Sequence, residues 1–465
     1  MLLKDYYSNL KKKFHEFNFH GIAFNSNLVK KNYVFFAIKG NNLDGNKYIK
    51  NAIKNGSKII ISAKVKERLE NNILYLKNKN PRKLLAEFAV KLNNRHPNNL
   101  VAVTGTNGKS SIANFYYQIL KLNKKKVSSI GTLGIEGINY KKNISNTTYD
   151  PIVLNNILTI LKKKNINNVI LEASSHGLKQ HRLDGLKFNL GIFTNLSRDH
   201  LDYHKTYKDY FDTKLILFKK LMKKKSNIIF DQDLTIAKKI SKIAKKNNLK
   251  QLSIGSNNSD LVVIDHKFLN FNQHVSFFYK NNIYNFSTQL IGKVQINNLL
   301  MSILAASQSN LKLKKILNSI KKVKPVPGRL EKIGNLKNNS TVILDYAHTP
   351  DALRVCLKNI KDQFSLKKIT IVFGCGGERD EPKRKIMGRI ANKYCNKIYL
   401  TDDNPRKENP KKIRDQIKIN ISRKKLIEIS SRKIAINTAI KNIQSGEVVI
   451  VAGKGHESYQ EYKSR

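Results

Sequence analysis

The sequence lacks several features that would point to particular classes of protein. Among its 465 residues there is no tryptophan, and only three cysteines and nine prolines occur. The cysteines, Cys356, Cys375 and Cys395, have neither a Cys-x-x-Cys spacing nor a metal-ligand spacing, which predicts a reduced, cytoplasmic setting. No run of eighteen apolar residues occurs, and charges fill the amino-terminal stretch where a signal peptide needs an apolar core. We therefore expect a soluble protein with no membrane insertion.

Acidic residues are also scarce. The 33 Asp and Glu residues stand against 87 Lys and Arg, so the formal net charge is +54. Such a balance is typical of proteins that bind nucleic acid or an anionic membrane. The lysines are spread through nearly every segment, however, and they form neither one basic arm nor a recognisable nucleic-acid module. No specific nucleic-acid partner is predicted. A nucleic-acid-binding protein stays the alternative from another class, and binding that persists at moderate salt would support it.

The chain is too long for a single ordinary core, and its length favours about three domains. Residues 1–97 mix short apolar runs with turns and suggest a small α/β domain. Residues 98–327 alternate β-branched runs with amphipathic segments, which favours a mostly parallel sheet. The stretch KPVPGRLEKIG marks a boundary, and residues 328–465 contain four further buried-strand candidates. The predicted fold class is α/β throughout.

The strongest single motif is TGTNGKSS at residues 104–111, where a predicted strand meets a predicted helix. Glycines let backbone N–H groups approach phosphate oxygens, Lys109 can neutralise a terminal phosphate, and the Ser110 hydroxyl can bind Mg²⁺. The motif departs from the full G-x-x-x-x-G-K-[ST] pattern, because Val103 occupies the first glycine position. An Asn-Gly turn between a strand and a helix is the alternative interpretation.

Polar clusters follow several other predicted strands. Glu172 ends one strand, where its carboxylate suits Mg²⁺ or a polar loop, and His200 lies in TNLSRDHLDYH after another strand. Similar clusters occur at residues 345–353, 374–384 and 453–457. Because the carboxyl ends of parallel strands lie at one edge of a sheet, these clusters predict a shared ligand-binding crevice.

Eight motifs occur in the order and approximate spacing of the Mur ligases: TGTNGKSS, LEASSHGLKQHR, TNLSRDHLDYH, PGRLE, DYAHTPDAL, GCGGERD, DNPR and GKGHE. The whole chain resembles this family, in particular the members that add meso-diaminopimelate to UDP-MurNAc-L-Ala-D-Glu. The resemblance implies a uridine-nucleotide domain at 1–97, a central P-loop ATPase domain at 98–327 and a Rossmann-like amino-acid domain at 328–465. ATP would phosphorylate the D-Glu carboxylate, and the amine of the third amino acid would attack the acyl phosphate.

Three alternative functions related to this family remain. The chain could be a folylpolyglutamate synthetase, a lysine-adding Mur ligase or a decayed enzyme. The DNPR and SSHGLKQHR segments argue against the first two, and the retained ATP and Mg²⁺ residues argue against the third. The resemblance otherwise implies a cytoplasmic monomer whose partners are its small-molecule substrates.

The resemblance also implies roles for individual residues. The expected catalytic residues are Lys109, Glu172, His200 and Lys214. The expected ATP contacts are Gly105, Thr106, Asn107, Gly108, Lys109, Ser110, Ser111, Asn298, Arg329 and Asp345. The expected Mg²⁺ ligands are Ser110, Glu172, His200 and Lys214, the last as a carbamate formed with CO₂. The expected contacts of UDP-MurNAc-dipeptide are Phe24, Ser26, Asn146, Thr147, Thr148, Ser174, Gln180 and Arg182. The expected contacts of meso-diaminopimelate are Arg379, Asp403, Asn404, Pro405, Arg406, Gly453 and Glu457.

Two stretches depart from the family pattern. Asn25-Ser26-Asn27 stands where Asp-Ser-Arg is expected near the uridine, beside the GNNL loop at residues 40–43. Gln295 stands where the family commonly has Asn, although its amide can serve one methylene further out. We expect local adjustment with retained activity.

The stretch TDDNPRKENP at residues 401–410 contains the residue that would select the amino acid. meso-Diaminopimelate differs from L-lysine by a second, distal carboxylate, and the planar fork of an arginine binds a carboxylate bidentately. The Asp403-Asn404-Pro405 turn would present Arg406 for this purpose, while Glu457 would accept a hydrogen bond from the distal amine. Asn409 and Pro410 are typical of a helix start.

Overall fold

The computed structural model describes residues 1–8, 10–40, 43–139, 146–336, 338–378, 380–457 and 459–463, with the side chains of Leu201 and Asp202 left aside. Three β-sheets follow one another along the described chain, and helices cover both faces of each. Both faces of the central strands are therefore buried, as the continuous apolar runs of the sequence predict.

The first sheet has five strands in the order β1-β2-β3-β5-β4, all parallel except β4. These strands are β1 (Gly21–Ala23), β2 (Tyr33–Ala37), β3 (Ser57–Ser62), β4 (Arg68–Glu70) and β5 (Ile73–Lys77). The accompanying helices are α1 (Ile49–Lys54) and α2 (Pro81–Leu92). Phe35 faces the α1 side and Phe36 the α2 side, because successive side chains of a strand point to opposite faces.

The second sheet has ten strands in the order β15-β14-β13-β12-β11-β10-β6-β9-β7-β8. These strands are β6 (Asn99–Thr104), β7 (Val127–Gly131), β8 (Gly134–Glu136), β9 (Asn168–Glu172), β10 (Phe188–Phe193), β11 (Met222–Asp231), β12 (Lys250–Gly255), β13 (Leu261–Leu269), β14 (Asn272–Tyr279) and β15 (Asn282–Thr288). The helices are α3 (Lys109–Leu122), α4 (Pro151–Lys163), α5 (Ser175–Lys179), α6 (Leu201–His204), α7 (Tyr207–Ile216), α8 (Ala237–Lys246), α9 (Lys293–Ser307) and α10 (Leu313–Ile320). The seven neighbouring strands β13, β12, β11, β10, β6, β9 and β7 run parallel to one another. At one end of the sheet β8 pairs antiparallel with β7, and at the other end β14 and β15 continue as antiparallel strands.

Strand β6 lies near the middle of this sheet and contributes to two cores. Val101 and Val103 pack on the side of α3 and α9, whereas Leu100 and Ala102 pack on the side of α4. Along α3, the apolar residues Ile112, Phe115, Ile119 and Leu120 are all fully buried, as their helical spacing predicts. This packing fixes the position at which β6 ends and α3 begins.

The third sheet has six strands in the order β16-β17-β21-β18-β19-β20, all parallel except β16. Its strands are β16 (Glu331–Asn335), β17 (Thr341–Asp345), β18 (Ile369–Phe373), β19 (Lys397–Leu400), β20 (Leu426–Glu428) and β21 (Val448–Ala452). Its helices are α11 (Pro350–Gln363), α12 (Lys383–Tyr394), α13 (Pro410–Lys418) and α14 (Arg432–Lys441). Asn409 caps α13 by accepting a hydrogen bond from the Lys411 N–H at 2.9 Å, which confirms the predicted helix start.

The predicted α/β fold with mostly parallel second and third sheets is confirmed. The antiparallel meander of β13, β14 and β15 was not foreseen. The domain limits at 97/98 and 327/328 stay a prediction, and both lie between the strands of successive sheets. None of the helices formed by the described residues combines the length and the apolar character that a membrane span requires.

Candidate active site

The loop between β6 and α3 has a conformation that requires glycine. Gly105 has φ +143° and Gly108, the N-cap of α3, has φ +86°. A Cβ atom would lie 1.9 Å from the Thr194 Oγ1 at the first position and 2.5 Å from the Asn298 Oδ1 at the second. The loop thus passes close to its neighbours and leads into the N-terminus of α3, and the N-terminus of a helix that follows a glycine loop can bind phosphate.

The loop after β10 holds this glycine loop in shape. The N–H of Thr106 donates to the Asn195 carbonyl at 2.9 Å, and the N–H of Asn107 donates to the Asn195 Oδ1 at 3.0 Å. The Thr194 hydroxyl donates in turn to the Asn107 carbonyl at 2.6 Å. These contacts fix the backbone of the glycine loop from one side and leave the other side facing the cavity described below.

Two lysine amines converge on this loop. Lys109 Nζ donates to the carbonyls of Gly105 at 3.0 Å and Thr106 at 2.7 Å, and Lys214 Nζ, from α7, donates to the same Gly105 carbonyl at 2.6 Å. Burial lowers the pKa of both amines, and the charge of Lys109 lowers the pKa of Lys214 further, well below its ordinary value. Lys214 also lies over the ring of Tyr210, at 4.3 Å from the centroid. Its amine is therefore biased toward the neutral, nucleophilic form.

Glu172 ends β9 with its side chain buried. Its carboxylate accepts hydrogen bonds from the Thr132 N–H at 2.9 Å and the Thr132 hydroxyl at 3.2 Å. Gly131 permits this approach, since a Cβ there would lie 2.2 Å from the Glu172 Oε1. Thr132 was missed in the sequence, although the Gly-Thr pair at the end of an apolar run was a usable signal.

His200 lies at the start of α6 with φ +53°, close to the ring of His176 at a centroid distance of 4.9 Å. Burial lowers the pKa of His200 to about 4, although Asp199, with Oδ2 at 3.4 Å from Nε2, raises it. The ring is therefore neutral at physiological pH, the form in which imidazole binds metals. Within the part of the chain that the structure describes, no group of three or more His, Cys, Asp and Glu side chains is placed to hold a metal ion. The predicted Mg²⁺ ligands would therefore have to include groups of other types, the Ser110 hydroxyl and Lys214.

A hydrogen-bonded network joins four of the residues predicted to bind the nucleotide-linked dipeptide. Arg182 Nη1 donates to the Thr148 carbonyl at 2.5 Å, and Nε and Nη2 donate to the Gln180 Oε1 at 3.1 and 2.7 Å. The Thr148 hydroxyl donates to Ser174 Oγ at 3.0 Å, and Ser174 Oγ accepts from the Gly177 N–H and so caps α5. The network fixes the orientation of the Arg182 guanidinium.

One cavity of about 580 Å³ joins the second sheet to the third. It is lined by seventeen of the predicted residues: Thr106, Asn107, Gly108, Lys109, Ser110, Ser111, Asn146, Thr147, Thr148, Glu172, Ser174, Arg182, His200, Lys214, Asn298, Arg329 and Asp345. It is also lined by Asp199, from the same polar cluster as His200, and by residues that the sequence did not single out as site residues, among them Thr132, His176, Tyr210, Tyr346 and His348. The cavity therefore brings together all four predicted catalytic residues and the strand-end clusters around Glu172, His200 and residues 345–353. None of the described residues in the clusters at 374–384 and 453–457 lines it, so the predicted crevice is present only in part.

The turn that carries Arg406 lies outside this cavity lining. Arg406 has φ +52°, and its Nη1 donates to the Gly377 carbonyl at 2.8 Å, while the Gly377 N–H donates to the Asn404 carbonyl at 2.9 Å. A Cβ at Gly377 would lie 2.0 Å from the Pro405 carbonyl oxygen, so glycine is required there. The Arg406 Nε pairs with Glu461 Oε2 at 3.0 Å.

A second set of contacts connects this turn to the cavity. Lys454 Nζ donates to the Asn404 Oδ1 at 2.9 Å and lies 3.3 Å from the Glu457 Oε2. The Tyr346 hydroxyl, which belongs to the cavity lining, donates to the Glu457 Oε1 at 3.0 Å. Gly453, with φ +111°, lets Asp403 approach, since a Cβ there would lie 2.8 Å from the Asp403 Oδ2. Glu457 thus lies between the cavity and the Arg406 turn.

Comparison of the chain with known proteins identifies its family. Family models match residues 18–91 ("Mur ligase family, catalytic domain"), 103–306 ("Mur ligase middle domain") and 328–455 ("Mur ligase, glutamate ligase domain"). A protein of Rickettsia conorii named UDP-N-acetylmuramoyl-L-alanyl-D-glutamate--2,6-diaminopimelate ligase is 39% identical over 459 residues, which are 97% of this chain and 94% of that protein. The chain belongs to the Mur ligase family.

Two further relatives carry the same name. One, from Mesorhizobium japonicum, is 38% identical and aligns over 95% of this chain and 90% of its own length. The other is a solved structure with 29% identity and a TM-score of 0.72, and it covers 100% of this chain and 96% of that chain. The likeness therefore spans all three sheets of this Mur ligase.

Gln295, one departure of this Mur ligase from the family pattern, bridges two predicted ATP contacts. Its Nε2 donates to the Arg329 carbonyl at 2.9 Å, and its Oε1 accepts from the Asn298 Nδ2 at 3.1 Å. Asp345 accepts from the Leu330 N–H at 2.7 Å and the Ala347 N–H at 2.8 Å, and burial raises its pKa. The Gln295 side chain is thus part of the cavity wall, and the expectation of retained activity stays a prediction.

The predicted uridine contacts of this Mur ligase lie apart from the cavity, beside the first sheet. Phe24 is 39% exposed, whereas Ser26 is buried and its Oγ accepts from the Asn51 Nδ2 at 3.0 Å. Asn25 caps the short turn by accepting from the Asn27 N–H. Arg379, and Asn41 and Asn42 of the GNNL loop, lie outside the described residues. Their assignments stay predictions.

Proposed function

We propose that this chain is an ATP-dependent ligase that adds meso-2,6-diaminopimelate to UDP-N-acetylmuramoyl-L-alanyl-D-glutamate during peptidoglycan precursor synthesis. The observation that carries the proposal is the cavity that brings the glycine loop, the Arg182 network and the third sheet together. Relatives of nearly the same length, at 38–39% identity, carry the name of that enzyme. In this proposal the protein acts as a monomer in the cytoplasm, where ATP is available and its three buried, free cysteines stay reduced.

The glycine loop and Lys109 bind the phosphates of ATP. The N–H groups at the start of α3 face the β- and γ-phosphates, and the Lys109 ammonium exchanges its two loop carbonyls for phosphate oxygens. Asn298, Arg329 and Asp345 line the part of the cavity left for the nucleoside. Mg²⁺ at this place would neutralise charge that develops on the transferred phosphoryl group. The residues that fit it are Ser110, Glu172, His200 and Lys214.

Lys214 fits the metal site only after it has changed its charge. An ammonium repels Mg²⁺, whereas a carbamate supplies the anionic oxygen that Mg²⁺ prefers. The lowered pKa of Lys214 favours the neutral amine that can attack CO₂. Full burial beside Tyr210 then keeps water away from the product. We infer that Lys214 is carbamylated in the working enzyme.

The reaction joins a carboxylate and an amine in two transfers. An oxygen of the free D-Glu carboxylate attacks the γ-phosphorus of ATP, and ADP leaves with the electrons of the broken bond. The neutral amine of diaminopimelate then attacks the acyl carbon, phosphate leaves, and the amine gives up a proton to form the amide. Arg182, held by Thr148 and Gln180, orients the dipeptide so that its carboxylate faces the γ-phosphate. Phe24 and Ser26 hold the uridine end.

Arg406 selects the incoming amino acid. Its guanidinium binds the distal carboxylate that L-lysine lacks, and Asp403, Asn404, Pro405 and Gly453 shape the turn around it. Glu457 accepts from the distal amine and, through Tyr346, lies next to the cavity in which the amide forms. The residues around Arg406 thus favour diaminopimelate over lysine.

Phosphate release from ATP tests the proposal. With UDP-MurNAc-L-Ala-D-Glu present, meso-diaminopimelate should stimulate release strongly, L-lysine weakly and the absence of an amine least. Omission of the nucleotide-linked dipeptide should abolish stimulation, because no acyl phosphate can form without it. Failure of both amines to stimulate release would contradict the proposal.

A further inference from the structure

Residues 459–463 form a segment that lies across the Arg406 turn. The Glu461 N–H donates to the Asn404 Oδ1 at 2.9 Å, and the Arg406 N–H donates to the Glu461 carbonyl at 3.0 Å. Arg406 also pairs with Tyr462 as an isolated parallel bridge. The segment is therefore fixed to the turn by backbone contacts, and these place the Glu461 side chain beside the Arg406 guanidinium.

The Glu461 carboxylate takes the edge of the guanidinium that a substrate carboxylate would use. An arginine binds a carboxylate bidentately through Nε and Nη2 or through its two terminal nitrogens. In the structure the Nε pairs with Glu461 Oε2 at 3.0 Å, and Nη1 donates to the Gly377 carbonyl at 2.8 Å. A second carboxylate can sit on the Nε edge only after Glu461 has left it.

The two partners of this ion pair differ in how firmly they are held. The Glu461 side chain is 49% exposed and that of Arg406 is 21% exposed. The guanidinium is anchored by Gly377, whereas the only described hydrogen-bond or ion-pair partner of the Glu461 carboxylate is Arg406. Because exposed ion pairs contribute little free energy, the carboxylate can be replaced without disturbing the turn.

We propose that Glu461 is a placeholder carboxylate, which neutralises Arg406 until the distal carboxylate of the incoming diamino acid displaces it. This inference rests on the proposed function and adds a specificity-determining residue to it. An amino acid without a distal carboxylate leaves the Arg406–Glu461 pair in place and gains nothing from the cation. Glu461 therefore sets the affinity for diaminopimelate through competition.

The variant Glu461→Gln tests this role, because it removes the charge and keeps the size of the side chain. Steady-state phosphate release is measured against meso-diaminopimelate and against L-lysine at saturating ATP and UDP-MurNAc-L-Ala-D-Glu. We expect the KM for diaminopimelate to fall about two- to five-fold with kcat unchanged, the range that corresponds to an exposed ion pair. The KM for L-lysine should not fall. The matched control is Glu16→Gln, which removes an exposed carboxylate paired with Lys4 beside the first sheet and should change neither constant.

The outcomes separate the two levels of the proposal. If Glu461 instead orients Arg406 for the substrate, the KM for diaminopimelate rises in Glu461→Gln, and the placeholder role is overturned. An unchanged KM overturns it as well. If diaminopimelate fails to stimulate phosphate release in the unmodified protein, the proposed function fails and takes this inference with it.

Discussion

At the scale of single residues, the proposed selectivity for diaminopimelate is assigned to Arg406. Its backbone has φ +52°, a conformation that an arginine adopts at some cost, and it is retained because the turn fixes the guanidinium beside Gly377 and Glu461. The Arg406 side chain is 21% exposed, so solvent screens a carboxylate bound there only in part.

Arg406→Ala should lower kcat/KM for meso-diaminopimelate by roughly 30- to 150-fold, which corresponds to about 2–3 kcal/mol for a partly buried charge pair. The rate with L-lysine should stay within about twofold, because lysine has no distal carboxylate for this cation to bind. Initial rates of phosphate release with each amine give both values. Arg423→Ala, an exposed arginine of the same sheet region, is the control. A kcat/KM for diaminopimelate that barely changes would refute the assignment.

Some site residues could be predicted from the sequence and others could not. All four predicted catalytic residues line one cavity, because each follows or faces a strand end whose position is set by the sheet. Lys214 could be singled out only by resemblance, since one lysine among so many looks like any other until burial lowers its pKa. Glu461 escaped notice for the same reason, because its role depends on a contact between residues distant in sequence.

At the scale of elements, the proposed nucleotide site lies at the junction of β6 and α3. Its glycines are needed for different reasons: Gly105 passes next to Thr194, and Gly108 passes next to Asn298 while it starts the helix. The Asn298 amide in turn contacts Gln295, which holds the Arg329 carbonyl. A side chain added at Gly108 would therefore displace Asn298 and, through Gln295, affect Arg329 as well.

Gly108→Ala should raise the KM for ATP at least about tenfold, since the new Cβ displaces Asn298 and tilts the first turn of α3. It should also lower Tm by a few degrees, because a non-glycine residue at this φ costs about 1–3 kcal/mol. Gly134→Ala is the matched control: φ is +89° there, and a Cβ meets nothing within 4 Å. The control should share the loss of Tm and keep the KM for ATP. Equal KM values for the two variants would contradict the account.

Elements were predicted best where their periodicity was strong. The strand, loop and helix around the glycine loop follow directly from a β-branched run and a helical repeat of apolar residues. The meander of β13, β14 and β15 was missed because its strands expose one face, so their alternating polar residues resemble loops. Its position at the sheet edge could not be read from local pattern, since edge and centre differ only in long-range pairing.

At the scale of the whole molecule, the excess positive charge is illustrated by helix α8, whose lysines lie on its exposed face. Helix α8 buries Ala237, Ile240 and Ala244 and exposes five lysines, as its sequence AKKISKIAKK predicts. The net charge of +54 is thus compatible with an ordinary set of covered sheets. The proposed function draws on a few buried or partly buried cations, Lys109, Arg182 and Arg406, and not on the surface lysines.

The product of a competition reaction tests the central claim most directly. The protein is incubated with ATP, Mg²⁺, UDP-MurNAc-L-Ala-D-Glu and equal concentrations of meso-diaminopimelate and L-lysine. The masses of the nucleotide products are then measured by mass spectrometry. The account predicts one dominant product, the starting nucleotide plus diaminopimelate minus water, with one phosphate released for each molecule formed. A dominant lysine adduct, or phosphate release without any amide product, would contradict it.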